Sequence, residues 1–171
     1  NELPDGTEGE LAVKTEPDWP VGLFPEYWRN PEANAKAFHD GWYYTGDTAT
    51  RDIDGYIWFV GRSDDIISSA GYRIGPQEVE NALITHPAVQ ESAVVGLPDP
   101  ERGEIVKAFV VLTQSDSQRA DTELVAELQT HVKRTTAPYK YPRAIEFVDE
   151  LPKTVSGKIQ RNLLRQSSPN K

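Results

Sequence analysis

The hydrophobic pattern changes period at Gly61, and that change divides the chain into two differently built parts. Up to that point, short alternating segments such as Glu10-Leu11-Ala12-Val13-Lys14 and Tyr56-Ile57-Trp58-Phe59-Val60 are separated by Pro, Gly and Asp turns. Such alternation predicts strands of a small sheet or barrel. Asp54-Gly55 supplies the left-handed conformations of a tight hairpin turn, pairing the strand around Thr48-Ala49-Thr50 with the aromatic strand after it. Asn30 as a cap, Pro31 at the first helical position and Gly41 as a terminator predict one short helix among these strands.

Beyond Gly61 helices and strands alternate, and the boundary falls in Arg62-Ser63-Asp64-Asp65, whose charged, small and turn-prone residues suit a solvated link. A helix starts at Pro76, turns Val79 and Leu83 to one side and stops before Pro87. Strands follow near Gln90–Val95 and Ile105–Leu112. A polar stretch from Thr113 to Thr122 leads into a helix on which Leu124, Leu128 and Val132 form one apolar stripe. Pro138 ends that region, and a strand at Ala144–Val148 and a short helix from about Gln160 complete the unit. The fold class is α+β, with a β-rich part at residues 1–63 and a compact part at residues 64–171 whose three-stranded sheet is covered by helices.

Composition narrows the functions open to such a chain. Its 171 residues suit one domain or a domain and part of another, and a 37% hydrophobic content is enough for ordinary cores. With no methionine and an opening Asn1-Glu2-Leu3-Pro4, the chain reads as a fragment without a signal-peptide pattern. The lack of cysteine excludes disulfides, thiolate metal sites and a cysteine nucleophile, and fits a reducing compartment. No apolar run reaches membrane-spanning length. A formal charge of −9 argues against nucleic acid as a partner, so any anion site must be local.

Three stretches hold residues suited to chemistry. In Tyr44-Thr45-Gly46-Asp47 an apolar strand ends in Gly-Asp; its carboxylate suits the two hydroxyls of a ribose, although the same tetrapeptide suits a plain turn. In the run from Gly61 to Pro76, Gly71 and Gly75 around Tyr72-Arg73 let a ligand approach the backbone. Arg62 and Arg73 there offer planar forks to nucleotide oxygens, and the run equally suits a surface hairpin with solvated charges.

In Leu151-Pro152-Lys153-Thr154-Val155-Ser156-Gly157-Lys158-Ile159-Gln160-Arg161, Ser-Gly-Lys precedes a helix. Pro152 stands where a P-loop requires glycine, so this is not a P-loop, but Lys158 can still deliver a point charge to a phosphate. His39, His86 and His131 lack ligand spacing, Asp64-Asp65 is a weak metal signal, and Trp42 and Trp58 suit a core better than a stacking surface.

Taken in order, Gly9-Glu10-Leu11, Tyr44-Thr45-Gly46-Asp47, the run Gly61 to Glu80, Ala137-Pro138-Tyr139-Lys140-Tyr141-Pro142-Arg143 and Pro152 to Lys158 closely resemble the adenylate-forming superfamily. The likeness is greatest to medium-chain acyl-CoA synthetases of the acetyl-CoA synthetase-like type. It implies that residues 1–63 end a large adenylating domain and residues 64–171 form a mobile small domain. It also implies the substrates ATP, CoA and a carboxylic or fatty acid, with Mg2+ bound mainly by an amino-terminal domain of the same chain.

By that resemblance Asp47 holds the ribose hydroxyls beside Arg62, and Lys158 bridges the α-phosphate and the reacting carboxylate. Asp64 is the hinge, and Gly71, between Ala70 and Tyr72, lines the pantetheine passage. Arg73, Arg102 and Lys133 meet the CoA phosphates, and Tyr141, Pro142 and Arg143 lie near its adenine. Ala70 stands where a serine is common, which removes a hydroxyl contact. Alternatives of the same fold are an adenylation domain that loads a carrier protein and a non-catalytic regulatory module. The location implied is cytoplasmic, or the mitochondrial matrix in a eukaryote.

Overall fold

β3 (Trp42–Arg51) is the organising strand of the first part, and its partners follow from the turns around it. The computed structural model describes residues 2–167. The chain divides at the Asp64–Asp65 bond into two compact units. In the first, β1 (Glu8–Lys14), β2 (Phe38–His39) and β4 (Ile57–Arg62) all pair antiparallel with β3 to give a four-stranded sheet.

α1 (Pro31–Ala37) begins as expected, with the Asn30 side chain accepting from the Ala33 amide at 3.1 Å. Gly41 does not close it. The helix stops at Ala37, and Asp40-Gly41, with φ of 52° and 77°, form the two-residue turn between β2 and β3. The β3–β4 pairing has Ala49 opposite Phe59 and Thr50 opposite Trp58, as the alternation predicts. Its turn is wider than a two-residue one, because Asp52 accepts the amides of Asp54 and Tyr56 and only Gly55 is left-handed.

In the second unit β5 (Ile67–Ser69) and β6 (Tyr72–Ile74) make a hairpin, followed by α2 (Pro76–Ile84), β7 (Val89–Asp99) and β8 (Gly103–Leu112). α3 (Thr122–Thr135), β9 (Ala144–Phe147) and α4 (Arg161–Gln166) complete it. The expected three strands are β7, β8 and β9, with β8 central, antiparallel to β7 and parallel to β9. The sheet has five strands rather than three, because the Ser69–Gly103 pairing joins the hairpin to β8.

Both faces of this sheet are covered. One carries Val94, Val106 and Val110 against Val79 and Leu83 of α2 and the α3 stripe Leu124, Leu128 and Val132. The other carries Ala93, Val95, Phe109 and Val111 against Leu151 and Leu164. The near-continuous apolar runs of β7 and β8 have this cause: alternate side chains enter different cores, and both cores are dry.

Candidate nucleotide and thiol site

In the first unit the local structure is built around a bulge. β3 does not end at Gly46-Asp47 but runs on to Arg51, and the three residues 45–47 oppose a single residue of β1, so the strand bends there. Thr45 holds the bend: its hydroxyl donates to the Leu11 carbonyl at 2.8 Å and accepts from the Asp47 amide at 3.1 Å. The bend leaves the Asp47 side chain one-third exposed beside Arg62, its register partner on β4.

Arg62 Nη1 donates to the Thr45 carbonyl at 3.2 Å and to Asp47 Oδ1 at 3.3 Å, while its Nε donates to Asp64 Oδ1 at 3.2 Å. One guanidinium therefore ties Asp47 to Asp64 in a cluster open to solvent. Beside it, Tyr43 and Tyr27 place their hydroxyls 3.2 Å apart, and that bond with partial burial pushes the Tyr43 phenol up to about 12. The Tyr43 hydroxyl is thus neutral at physiological pH.

In the second unit Ala70 and Gly71 are the two turn residues of the β5–β6 hairpin, with φ of 50° and 84°. The Ala70 amide donates to the Arg102 carbonyl at 2.8 Å, and Tyr72 stacks on Tyr139 at 4.1 Å between centroids. Gly71 and Arg73 are exposed and Arg102 is half-buried. Lys133 Nζ sits 3.9 Å from the Tyr141 ring centroid, and Arg143 donates to the Tyr141 hydroxyl at 3.0 Å. Pro142 is buried and its carbonyl accepts from Gln129 at 3.0 Å, which fixes the loop that carries these groups. Of the groups assigned to CoA, the fold thus gathers Lys133, Tyr141 and Arg143 into one cluster and puts Ala70, Gly71, Tyr72 and Arg102 at the hairpin end of β8.

Lys158 stands on a small hairpin of its own. Lys153 and Ile159 pair at its base, the Thr154 amide donates to the Lys158 carbonyl at 2.8 Å, and Gly157 takes φ of 83° at its tip. Lys153 Nζ reaches Glu91 Oε2 at 2.5 Å and anchors the base on β7. The Lys158 amide donates to Thr154 Oγ1, yet its side chain is exposed and its ammonium makes no hydrogen bond or ion pair with any described residue. A short rigid arm with a solvated tip is the outcome.

The two groups of cations occupy opposite sides of one sheet. Tyr141, which carries Lys133 and Arg143, packs on the core that holds α2 and α3. Ile159, next to Lys158, packs on the other core with Leu151 and Leu164. Both cannot face one ligand together.

Sequence reading gave Thr45 no role of its own and missed the anchor Glu91, since a strand threonine and a half-buried glutamate carry no local signal. It also assigned Trp58 to a core, whereas that ring is 62% exposed and its indole donates to Asp52 at 2.7 Å. Asp65 is bound to arginines rather than to its neighbour, and among the described residues no group of three or more His, Asp or Glu forms a metal site. No helix among the described residues is long and apolar enough to cross a membrane.

Comparison with known proteins gives these positions a context. Residues 78–158 match the profile of the AMP-binding enzyme C-terminal domain. The mitochondrial acyl-coenzyme A synthetase ACSM3 of Rattus norvegicus is 58% identical over 164 residues, 96% of this chain and 28% of that protein. ACSM4 of Homo sapiens, also mitochondrial, is 58% identical over 165 residues, 96% of this chain and 28% of its own length. Among solved structures, ATP-bound MatB from Rhodopseudomonas palustris superposes with a TM-score of 0.81 at 34% identity, covering 96% of this chain and 31% of that one. The o-succinylbenzoate CoA synthetase MenE of Bacillus subtilis, in complex with an acyl-adenylate intermediate, gives 0.81 at 33% identity over 95% of this chain and 31% of its own. The chain thus spans less than one-third of the length of these relatives. Residues 78–158 are thus similar to the AMP-binding enzyme C-terminal domain, and the chain as a whole is similar in sequence to acyl-coenzyme A synthetases and in fold to adenylate-forming enzymes.

Proposed function

We propose that the chain supplies the mobile part of an AMP-forming acyl-CoA synthetase acting on a carboxylic (fatty) acid, in mitochondria, as the names of its relatives have it. The observation that carries this reading is the placement of Lys158 and the Lys133–Tyr141–Arg143 cluster on opposite faces of one small sheet. An enzyme with two half-reactions can use such a unit twice, once with each face toward the same nucleotide.

In the first half-reaction a carboxylate oxygen attacks the α-phosphate of ATP. The new bond is O–P, the bond broken joins the α- and β-phosphates, and pyrophosphate leaves. The nucleophile is already ionised and needs no base; the barrier lies in bringing anions together. Lys158, on its exposed arm, sets a cation between the carboxylate and the α-phosphate and stabilises the charge of the transition state. Asp47 accepts both ribose hydroxyls, and Arg62, held by the Thr45 carbonyl, steadies that carboxylate.

In the second half-reaction the small unit turns about Asp64, Lys158 withdraws, and the thiol of CoA attacks the acyl carbon. A C–S bond forms and AMP leaves with the former carboxylate oxygen. Gly71 keeps the pantetheine passage clear, Arg73, Arg102 and Lys133 bind CoA phosphates, and Tyr141 to Arg143 flank its adenine. The cationic set favours CoA over a carrier protein, whose thiol arrives without the 3′-phosphate. The upstream remainder supplies the acyl pocket and the metal site, and the apolar band of β4 packs against it.

The test is Lys158→Ala in the complete enzyme. ATP–pyrophosphate exchange should vanish while thioester formation from supplied acyl-adenylate persists. Equal loss of both half-reactions would refute the division of labour.

A further inference from the structure

Below the Lys158 hairpin lies a set of four charged side chains to which the proposed mechanism gives no task. Glu80 and Asp65 are 7% and 14% exposed, and Arg161 and Arg165 are 20% and 34% exposed. Arg161 Nη2 donates to both oxygens of Glu80 at 2.8 Å, and Glu80 Oε1 also accepts the Val94 amide at 2.8 Å. Arg161 Nη1 lies 3.6 Å from Asp65 Oδ2, while Arg165 Nη2 binds Asp65 Oδ1 at 2.5 Å. Arg161 Nε is buried with no acceptor among the described residues.

Stability is a poor reason for this arrangement. Desolvating two ion pairs offsets most of their attraction, and well-packed apolar side chains of the same volume commonly serve as well or better. An unsatisfied guanidinium N–H adds a further cost. What charged groups give is a fixed geometry, and the sequence positions indicate where that is needed.

Asp65 is the first residue of the small unit, next to the proposed hinge. Arg161 opens α4 and follows Lys158 by three residues. Glu80 joins Arg161 to α2 and, through Val94, to β7. The shortest physical path from the joint to the lysine arm is therefore Asp65 to Arg161 to Lys158, braced by Glu80 against the sheet.

We infer that Asp65, Arg161 and Glu80 are positioning residues that lock the lysine arm to the start of the small unit, so that rotation at Asp64 carries Lys158 without slack. The inference rests on the function proposed above, and it adds residues that touch neither substrate nor reacting atoms. A misplacement of about 1 Å at a reacting group costs up to about a hundredfold in rate. The lock thus acts on the adenylation rate and hardly on ATP binding or thioester formation.

The experiment uses the complete enzyme with Asp65→Asn, Arg161→Lys, their double variant, and the apolar pair Glu80→Leu with Arg161→Met. Expected is a fall of about tenfold or more in kcat for ATP–pyrophosphate exchange, with KM for ATP within about twofold and thioester formation from supplied acyl-adenylate near normal. The double variant should be no worse than the poorer single one, because the two act as a unit. The apolar pair gives up the acceptor of the Val94 amide, so its melting temperature should fall somewhat, but it should stay folded at the assay temperature and still lose exchange. Normal exchange in that folded pair, equal loss of both half-reactions, or collapse of its fold would each overturn the inference. Lys158→Ala, run beside them, separates the failures: intact exchange in that variant sinks the proposed function itself, whereas its loss with a normal apolar pair sinks the lock alone.

Discussion

Gly46 and Arg62 are so close that a Cβ on Gly46 would lie 2.8 Å from Arg62 Nη2. The glycine also takes φ of 75° in the bulge that presents Asp47. Gly46→Ala should therefore act in two ways of different size. The left-handed backbone costs about 1–2 kcal/mol, a modest loss of stability. The end of an arginine moves easily, so the clash is relieved by swinging the guanidinium away from Asp47. In the complete enzyme KM for ATP should rise severalfold while the melting temperature falls only slightly. Unchanged KM would separate Arg62 from nucleotide binding.

Gly71→Leu should divide the half-reactions in the opposite sense to Lys158→Ala. A Cβ at Gly71 meets nothing within 4 Å, so the unit has room for the side chain and bears only the strain of φ 84°. ATP–pyrophosphate exchange should persist and CoA thioester formation should fall at least about tenfold if a thiol must pass this point. Normal thioester formation would remove the passage from the hairpin tip.

The turn before β4 should be sensitive to acid. The indole N–H of Trp58, with the amides of Tyr56 and Asp54, holds the Asp52 carboxyl below the usual carboxylate range. A depressed folded pKa means that the contribution is fully present above the ordinary value of 3.8 and is lost as pH falls through the lower, folded value. The Trp58 indole proton resonance should stay in place down to about pH 4 and move only below it. Asp52→Asn should abolish that titration, as NMR across the acid range would reveal.

The small unit should depend on its α3 stripe. Leu128 is fully buried between sheet and helices. Leu128→Ala should lower the unfolding free energy by about 2–5 kcal/mol, read from urea denaturation of the unit's cooperative transition. A change under about 1 kcal/mol would mean that the core collapses around the loss.

How much of this could be read from residues alone depends on the range of the forces involved. Local signals worked where chemistry is local: Asn30-Pro31 started α1, Pro76 started α2, and the four-residue spacing of Leu124, Leu128 and Val132 gave the buried face of α3. Gly41 misled because a left-handed glycine serves a hairpin as well as a helix end. The Tyr-Thr-Gly-Asp bulge was hidden because it exists only against β1, and the hairpin joins the sheet through the pairing of Ser69 with Gly103, far apart in sequence. The lock of Asp65 on Arg161 and Arg165 spans nearly the whole second unit, so the adjacent Asp64 and Asp65 look alike in sequence yet have different partners. The roles of Asp47, Lys158 and the CoA set came from resemblance, and no count of charges or period would have supplied them.

Ile57, Trp58 and Phe59 stand consecutively on β4 and are all about 60% exposed, so neither side of that strand is dry. Expressed by itself, this chain will be adhesive: its molecules should stick to one another through that strand, more strongly as sulfate is added and less so in mild urea. Purification of the isolated chain will meet this stickiness before any catalytic question can be asked.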